Sequence, residues 1–283
     1  PPGCGRSSSW RKTCPRCSRL RTRPLRCPAC QPTCRSAGAP WQGTLRTTKV
    51  GLTLPFYQWS VRRKQWDAWL LERSKAEVAQ HRVKTIVKHK NSYIIDETYS
   101  CDYLIGAGGT HCPVRRTFFP KPQGARVVAL EIEYSTQART DDCQLYMPLF
   151  GSGYGWSVPK VGGINIGYGQ YHPAKNIKSH WPTFQNLLAK HGVSNQAPKD
   201  YAGWSYHLAP PKKTTSVRQG NCYIVGDAVG LATVDLAEGI GPAVESGLMA
   251  AGEILGEEIY DADRCTRYSV PGILSAWRWR NTR

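Results

Sequence analysis

The stretch from Asn221 to Leu255 constrains the fold more than any other part of the chain. An apolar run, Cys222 to Val225, ends in Gly226-Asp227, and a loop carrying Gly230, Glu238, Gly239, Ile240 and Gly241 follows. An apolar, small-residue helix is then expected from about Pro242 to Leu255, with Pro242 at a favoured first-turn position. Strand, glycine loop and helix in this order belong to α/β domains. The unpaired N–H groups and the positive dipole end of such a helix face the loop before it and favour an anionic or electron-rich ligand. Asp227, at the carboxyl end of the strand, can accept a hydrogen bond from a sugar-type hydroxyl. Gly226-Asp227 alone fits a capping or turn residue in any α/β domain. Glu238-Gly239-Ile240-Gly241 further on, with the small-residue helix behind it, turns the reading toward a flavin, whose N1 and O2 edge gains negative charge on reduction.

The rest of the organised chain supports a mixed architecture. Trp66, Trp69, Leu70 and Arg73 recur at helical spacing, in a helix starting near Arg63. Arg82 to Lys88, a turn at Lys90-Asn-Ser92, and Tyr93 to Asp96 read as a β-hairpin, and Cys101 to Gly109 as a short buried strand entering a glycine turn. Strand-like runs occupy Arg126 to Tyr134, Gln144 to Leu149 and Gly163 to Tyr168, which predicts an antiparallel sheet. Ile177 to His191 reads as a helix with Trp181, Phe184, Leu187 and Leu188 on one face and Gly192 as its stop. Pro198 to Arg218 is polar and proline-rich and reads as a return to the first domain.

Charge and cysteine single out the beginning of the chain. The net charge is +18, yet residues 1–64 hold 14 Lys and Arg and no acidic residue, leaving 24 basic against 20 acidic residues in the remainder. Six of the eleven cysteines are Cys4, Cys14, Cys17, Cys27, Cys30 and Cys34. Cys14-x-x-Cys17 and Cys27-x-x-Cys30 could supply four thiolates to zinc, but the spacer is short, prolines occupy both knuckles and glycine is missing from their turns. Residues 1–43 have no hydrophobic period and read as disordered or as a frame read one base out in GC-rich DNA. The chain begins with Pro1, and its methionines are Met147 and Met249, so it is expected to be a fragment or a processed form. No apolar run reaches the ~20 residues of a membrane-spanning helix, and no signal-type segment opens the chain, which reads as cytoplasmic.

Four segments in order resemble the flavoprotein group of p-hydroxybenzoate hydroxylase, and within it the geranylgeranyl reductase family. They are Ser60 to Ser74, Asp102 to Arg116, Tyr154-Gly-Trp-Ser-Val-Pro-Lys160, and the Gly226-Asp227 region. The resemblance implies an FAD-binding Rossmann-like domain of α/β (α+β) class, incomplete here, with an inserted antiparallel-sheet substrate domain. Residues 44–124 and 219–260 would form the cofactor domain, 125–218 the substrate domain, and 261–283 a tail. It implies cofactor contacts from Gly226, Asp227, Gly230, Glu238, Gly239, Ile240 and Gly241, with Gly106 and Arg63, and a substrate cavity bordered by Tyr154, Trp156 and Pro159. Read without the resemblance, those aromatics are equally sheet core.

The implied activity is reduction of isoprenoid C=C bonds by FAD, recharged by NADPH or another donor. A hydrophobic substrate suits peripheral contact with a membrane surface, and no nucleic-acid partner is expected. Two departures stand out. The opening strand with G-x-G-x-x-G is absent, which should weaken FAD binding, and Gly108 stands where many relatives carry Asp. Two other readings remain open: a flavin monooxygenase or halogenase, since Tyr154-x-Trp156-x-Val158-Pro159 resembles the halogenase Trp-x-Trp-x-Ile-Pro motif, and a zinc-dependent nucleic-acid module on a flavoprotein remnant.

Overall fold

The computed structural model describes residues 41–46, 51–58, 60–135, 143–149, 153–160, 162–171, 177–193, 201–210 and 216–269. The cysteine pairs of the amino-terminal segment lie outside them. The chain divides into two compact units. The described part of the smaller one holds helix α1 (Arg63–Ser74), which starts where the Trp66/Trp69 spacing places it and ends in a left-handed Lys75. None of its residues is buried; Trp66 and Trp69 pair at 5.2 Å, and the Arg73 guanidinium lies 4.6 Å from the Trp69 ring.

The larger unit is mixed α/β. Its strands are β1 (Trp41–Arg46), β2 (Gly51–Gln58), β3 (Ile86–His89), β4 (Ser92–Ile95), β5 (Tyr99–Cys101) and β6 (Leu104–Gly106), followed by β7 (Arg126–Tyr134) and β8 (Cys143–Leu149). Then come β9 (Gly153–Lys160), β10 (Gly163–Tyr171), β11 (Ala202–His207), β12 (Arg218–Gln219) and β13 (Cys222–Ile224). Its helices are α2 (Pro113–Phe118), α3 (Trp181–Lys190) and α4 (Ile240–Ile254).

The expected antiparallel sheet is present and larger than its three predicted runs, with strand order β11-β7-β10-β9-β8-β1-β2. Its pairs are antiparallel except β1 with β8. Trp41 to Gly43, read as the end of a disordered segment, and Thr44 to Gln58, read as part of the cofactor domain, instead supply β1, which pairs with β8, and β2, which pairs with β1. Strand β11 corrects the reading of Pro198 to Arg218 as mere return chain, because Ala202 to His207 pairs with β7 along its whole length.

Alternation gives this sheet two faces. One places Leu130, Ile164, Ile166 and Tyr168 under α3, whose Trp181, Phe184 and Leu188 are at most 5% exposed. Each such fully buried side chain stabilises the fold by about 1.5–3 kcal/mol. The opposite face carries Glu131, Tyr154, Trp156, Asn165 and Tyr206.

The predicted hairpin is β3–β4, extended to three strands by β5. Asp96 closes it in a left-handed conformation, and its carboxylate accepts from the Lys84 and Thr85 amides and contacts His81 at 2.7 Å. The third sheet, β12-β13-β6, joins β13 and β6 in parallel. Among the described residues no helix is long and apolar enough to cross a membrane.

Candidate functional site

The parallel pair β6 and β13 defines where a ligand can approach, because open α/β sheets bind beyond the carboxyl ends of such strands. Cys222 pairs with Leu104 and Ile224 with Gly106, and the Val225 amide donates to the Gly106 carbonyl at 3.1 Å. A Cβ on Gly106 would fall 2.7 Å from Val114 Cβ and 2.9 Å from Cys112 Sγ. This glycine therefore lets the start of α2 close onto β6, and its side-chain position is filled by protein.

Past β13 the chain turns at Gly226, whose φ of +59° an L side chain adopts only under strain. Its amide donates to Ser246 Oγ at 2.9 Å, and that hydroxyl donates to the Ala243 carbonyl, so the turn is tied to α4. The Val229 and Gly230 amides both return to the Gly226 carbonyl. Gly230 packs where a Cβ would lie 3.0 Å from Pro122 and His207. Asp227 is half-buried, and its Oδ1 lies 3.1 Å from the Cβ position that Gly239 leaves empty. The carboxylate thus rests against the first residue of the α4 terminus.

The loop before α4 is braced from within. Thr233 exchanges hydrogen bonds with Glu238, its hydroxyl taking the Glu238 amide at 3.0 Å, and Asp235 Oδ1 accepts from the Leu236 and Ser269 amides. Ala237 is held at φ +52°. The helix begins at Ile240, two residues earlier than expected, with Gly239 as an N-cap that has no side chain of its own to cap it. A Cβ on Gly241 would meet nothing within 4 Å, so the first turn presents backbone to open space.

The sheet face opposite α3 reaches this loop. The Tyr154 hydroxyl donates to the Leu236 carbonyl and the Tyr171 hydroxyl to the Asp235 carbonyl at 2.8 Å. Trp156 lies beside Tyr154, ring centres 5.7 Å apart. Pro159 does not join them: one residue out of phase along β9, it is fully buried on the α3 side. Tyr206 lies near Asp227, Glu131 and Tyr171; burial first, then these neighbours, push its hydroxyl well above the ordinary phenol range. Burial, then Arg126 and Arg115, hold His207 below the usual imidazole value.

Of the residues expected at the cofactor, the structure brings Gly226, Asp227, Glu238, Gly239, Ile240 and Gly241 to one helix terminus, while Gly230 packs against Pro122 and His207. Arg63 belongs to the other unit, where its guanidinium pairs with Asp67 at 3.1 Å. Sequence reasoning missed Ser246, Thr233 and Asp235, which hold the loop, and Glu131 and Asn165 on the sheet. The charged alternation Glu131-Ile132-Glu133 within an apolar strand was the available signal for a polar face.

The fold is one that solved flavoprotein structures share. No family model matches the chain. An uncharacterized protein of Methanosarcina barkeri is 29% identical over 213 residues, covering 70% of this chain and 52% of the relative. The chain therefore spans about half the length of the curated relative it matches. Among solved structures, a geranylgeranyl bacteriochlorophyll reductase-like protein from Thermoplasma acidophilum superposes with a TM-score of 0.58 at 16% identity, covering 76% of this chain and 62% of that one. Klebsiella pneumoniae HpxO, complexed with FAD and uric acid, gives 0.56 at 17%, with 87% and 77% covered. The flavin-dependent halogenase CmlS gives 0.55 at 16%, with 89% and 52% covered.

Proposed function

We propose that the chain is part of an FAD-dependent oxidoreductase, with the cofactor against the Asp227–Gly241 loop and the substrate on the sheet face bearing Tyr154 and Trp156. The observation that carries this is the half-buried Asp227 carboxylate lying against Gly239, the side-chain-free N-cap of α4, beyond the carboxyl ends of a parallel strand pair. The donor set fits the group. Backbone N–H groups of the first α4 turn suit the electron-rich edge of a flavin, Asp227 suits a ribityl hydroxyl, and the bare Gly239 and Gly241 let a planar ring approach.

Bound there and first reduced by a two-electron donor, the flavin would supply the hydride for reduction of a C=C bond, with a proton from solvent completing the addition. The protein orients and shields. Tyr154 and Tyr171 fix the 235–236 backbone to the sheet, Ser246 fixes Gly226 to α4, and Trp156 offers an apolar surface. An isoprenoid is the substrate in this reading and NADPH or another two-electron donor recharges the cofactor; both rest on the family resemblance. Oxygen-dependent hydroxylation or halogenation is the second reading, and the polar chain from Trp156 to Glu131 on the same face favours it. Anaerobic turnover of geranylgeranyl substrates with reduced flavin supports the first. Oxygen consumption with modification of an aromatic ring and no C=C reduction supports the second.

A further inference from the structure

The sheet face that adjoins the 235–236 loop is not uniformly apolar. Three strands place a lateral hydrogen-bonded chain across it: Trp156 Nε1 on β9 donates to Asn165 Oδ1 on β10 at 2.6 Å, and Asn165 Nδ2 donates to Glu131 Oε2 on β7 at 3.3 Å. Gly167 makes this possible, since a Cβ there would fall 2.4 Å from Trp156 Cζ2 and 2.6 Å from the Leu130 carbonyl. The indole donor fixes which way the Asn165 amide points, and that amide in turn aims the Glu131 carboxylate.

Glu131 is half-buried, and among the described residues no Lys or Arg pairs with it, for Lys160 is taken by Glu133. An ionised carboxylate has about four lone-pair sites. Asn165 uses one of them, and a partly desolvated carboxylate gains most from a further donor.

We propose that Glu131 is a specificity-determining residue of the substrate site, accepting a hydrogen bond from a hydroxyl or amine of the substrate. This rests on the reading of the face as the substrate side. A terminal alcohol on an isoprenoid and a phenol share this chemistry, whereas a diphosphate head group is repelled by Glu131.

The test uses the full chain loaded with FAD and four probes: geranylgeraniol, its methyl ether, p-cresol and 4-methylanisole. Binding is read from flavin difference spectra and from tryptophan fluorescence. Wild type should bind the alcohol or the phenol at least about tenfold more tightly than the matching ether, and Glu131→Gln should erase that preference while leaving ether affinity and FAD uptake unchanged. Asn165→Ala, which frees the carboxylate from its fixed direction, should lower the preference without abolishing binding. Whichever hydroxyl ligand is preferred identifies the source.

Equal affinity for alcohol and ether in wild type, a preference that survives Glu131→Gln, or no binding of any probe overturns the proposal. Failure to take up FAD is read separately from the flavin spectrum and defeats the cofactor reading, while fluorescence still reports on Glu131.

Discussion

Gly226→Ala tests whether the turn at the end of β13 is locked to α4 as the geometry requires. At φ +59° an alanine carries a backbone penalty of about 1–2 kcal/mol. Its Cβ would also lie 3.1 Å from Ala243 Cβ and 3.4 Å from Ala243 Cα, inside a contact that Ser246 already draws tight. Forcing a methyl into such packing costs about 1–3 kcal/mol more. Gly192→Ala is the control: its φ is +76°, but its added Cβ would meet nothing within 4 Å, so only the backbone penalty applies. Urea unfolding of both variants should show Gly226→Ala to be the more destabilised by about 1–3 kcal/mol. Because the added methyl pushes on the first turn of α4, FAD affinity should fall at least about tenfold in Gly226→Ala and stay unchanged in Gly192→Ala. Equal destabilisation of the two, with FAD affinity untouched, refutes the coupling of turn and helix.

Asp227→Asn removes a charged acceptor while keeping its shape, and calorimetric titration should give FAD binding weaker by about tenfold to a hundredfold. Tyr154→Phe loses the bond to the Leu236 carbonyl and should cost about 1 kcal/mol in urea unfolding. Asp96 gives a pH dependence. The Lys84 amide first, then the Thr85 amide and His81, hold its carboxyl far below the ordinary carboxylate range. A depressed carboxyl contributes stability above its unfolded value of about 4 and loses it as pH falls through that range toward the folded value. Thermal melts in acid should therefore fall less steeply for Asp96→Asn than for wild type.

The elements legible in the sequence were those with a strong local period or an unmistakable turn. The α1 start at Arg63, the Lys90-Asn91 hairpin and the strand–loop–helix from Cys222 onward all fall close to where pattern places them. The start of α4 shifted to Ile240 because Gly239, lacking a side chain, can serve as an N-cap, which moves the terminus ahead of Pro242. Strand β11 was hidden because prolines and polar residues surround it. Its reason to be a strand lies in pairing with β7, which a local window does not contain.

The site divides the same way. The turns at Gly226 and Gly230 were readable because their positive φ restricts which residues can stand there. Ser246, Asn165 and Glu131 act through partners 9 to 34 residues distant in the chain, so only the register of the folded strands and helix brings them into contact.

Titration of the purified chain with FAD tests the central claim most directly, followed by visible absorbance of the protein after gel filtration and by the melting temperature. Saturable FAD binding, weak because the G-x-G-x-x-G strand is absent, with a rise in melting temperature at saturating FAD that Asp227→Asn diminishes, is the predicted result. A colourless protein whose melting temperature does not respond to FAD would contradict the assignment of the Asp227–Gly241 loop to a flavin.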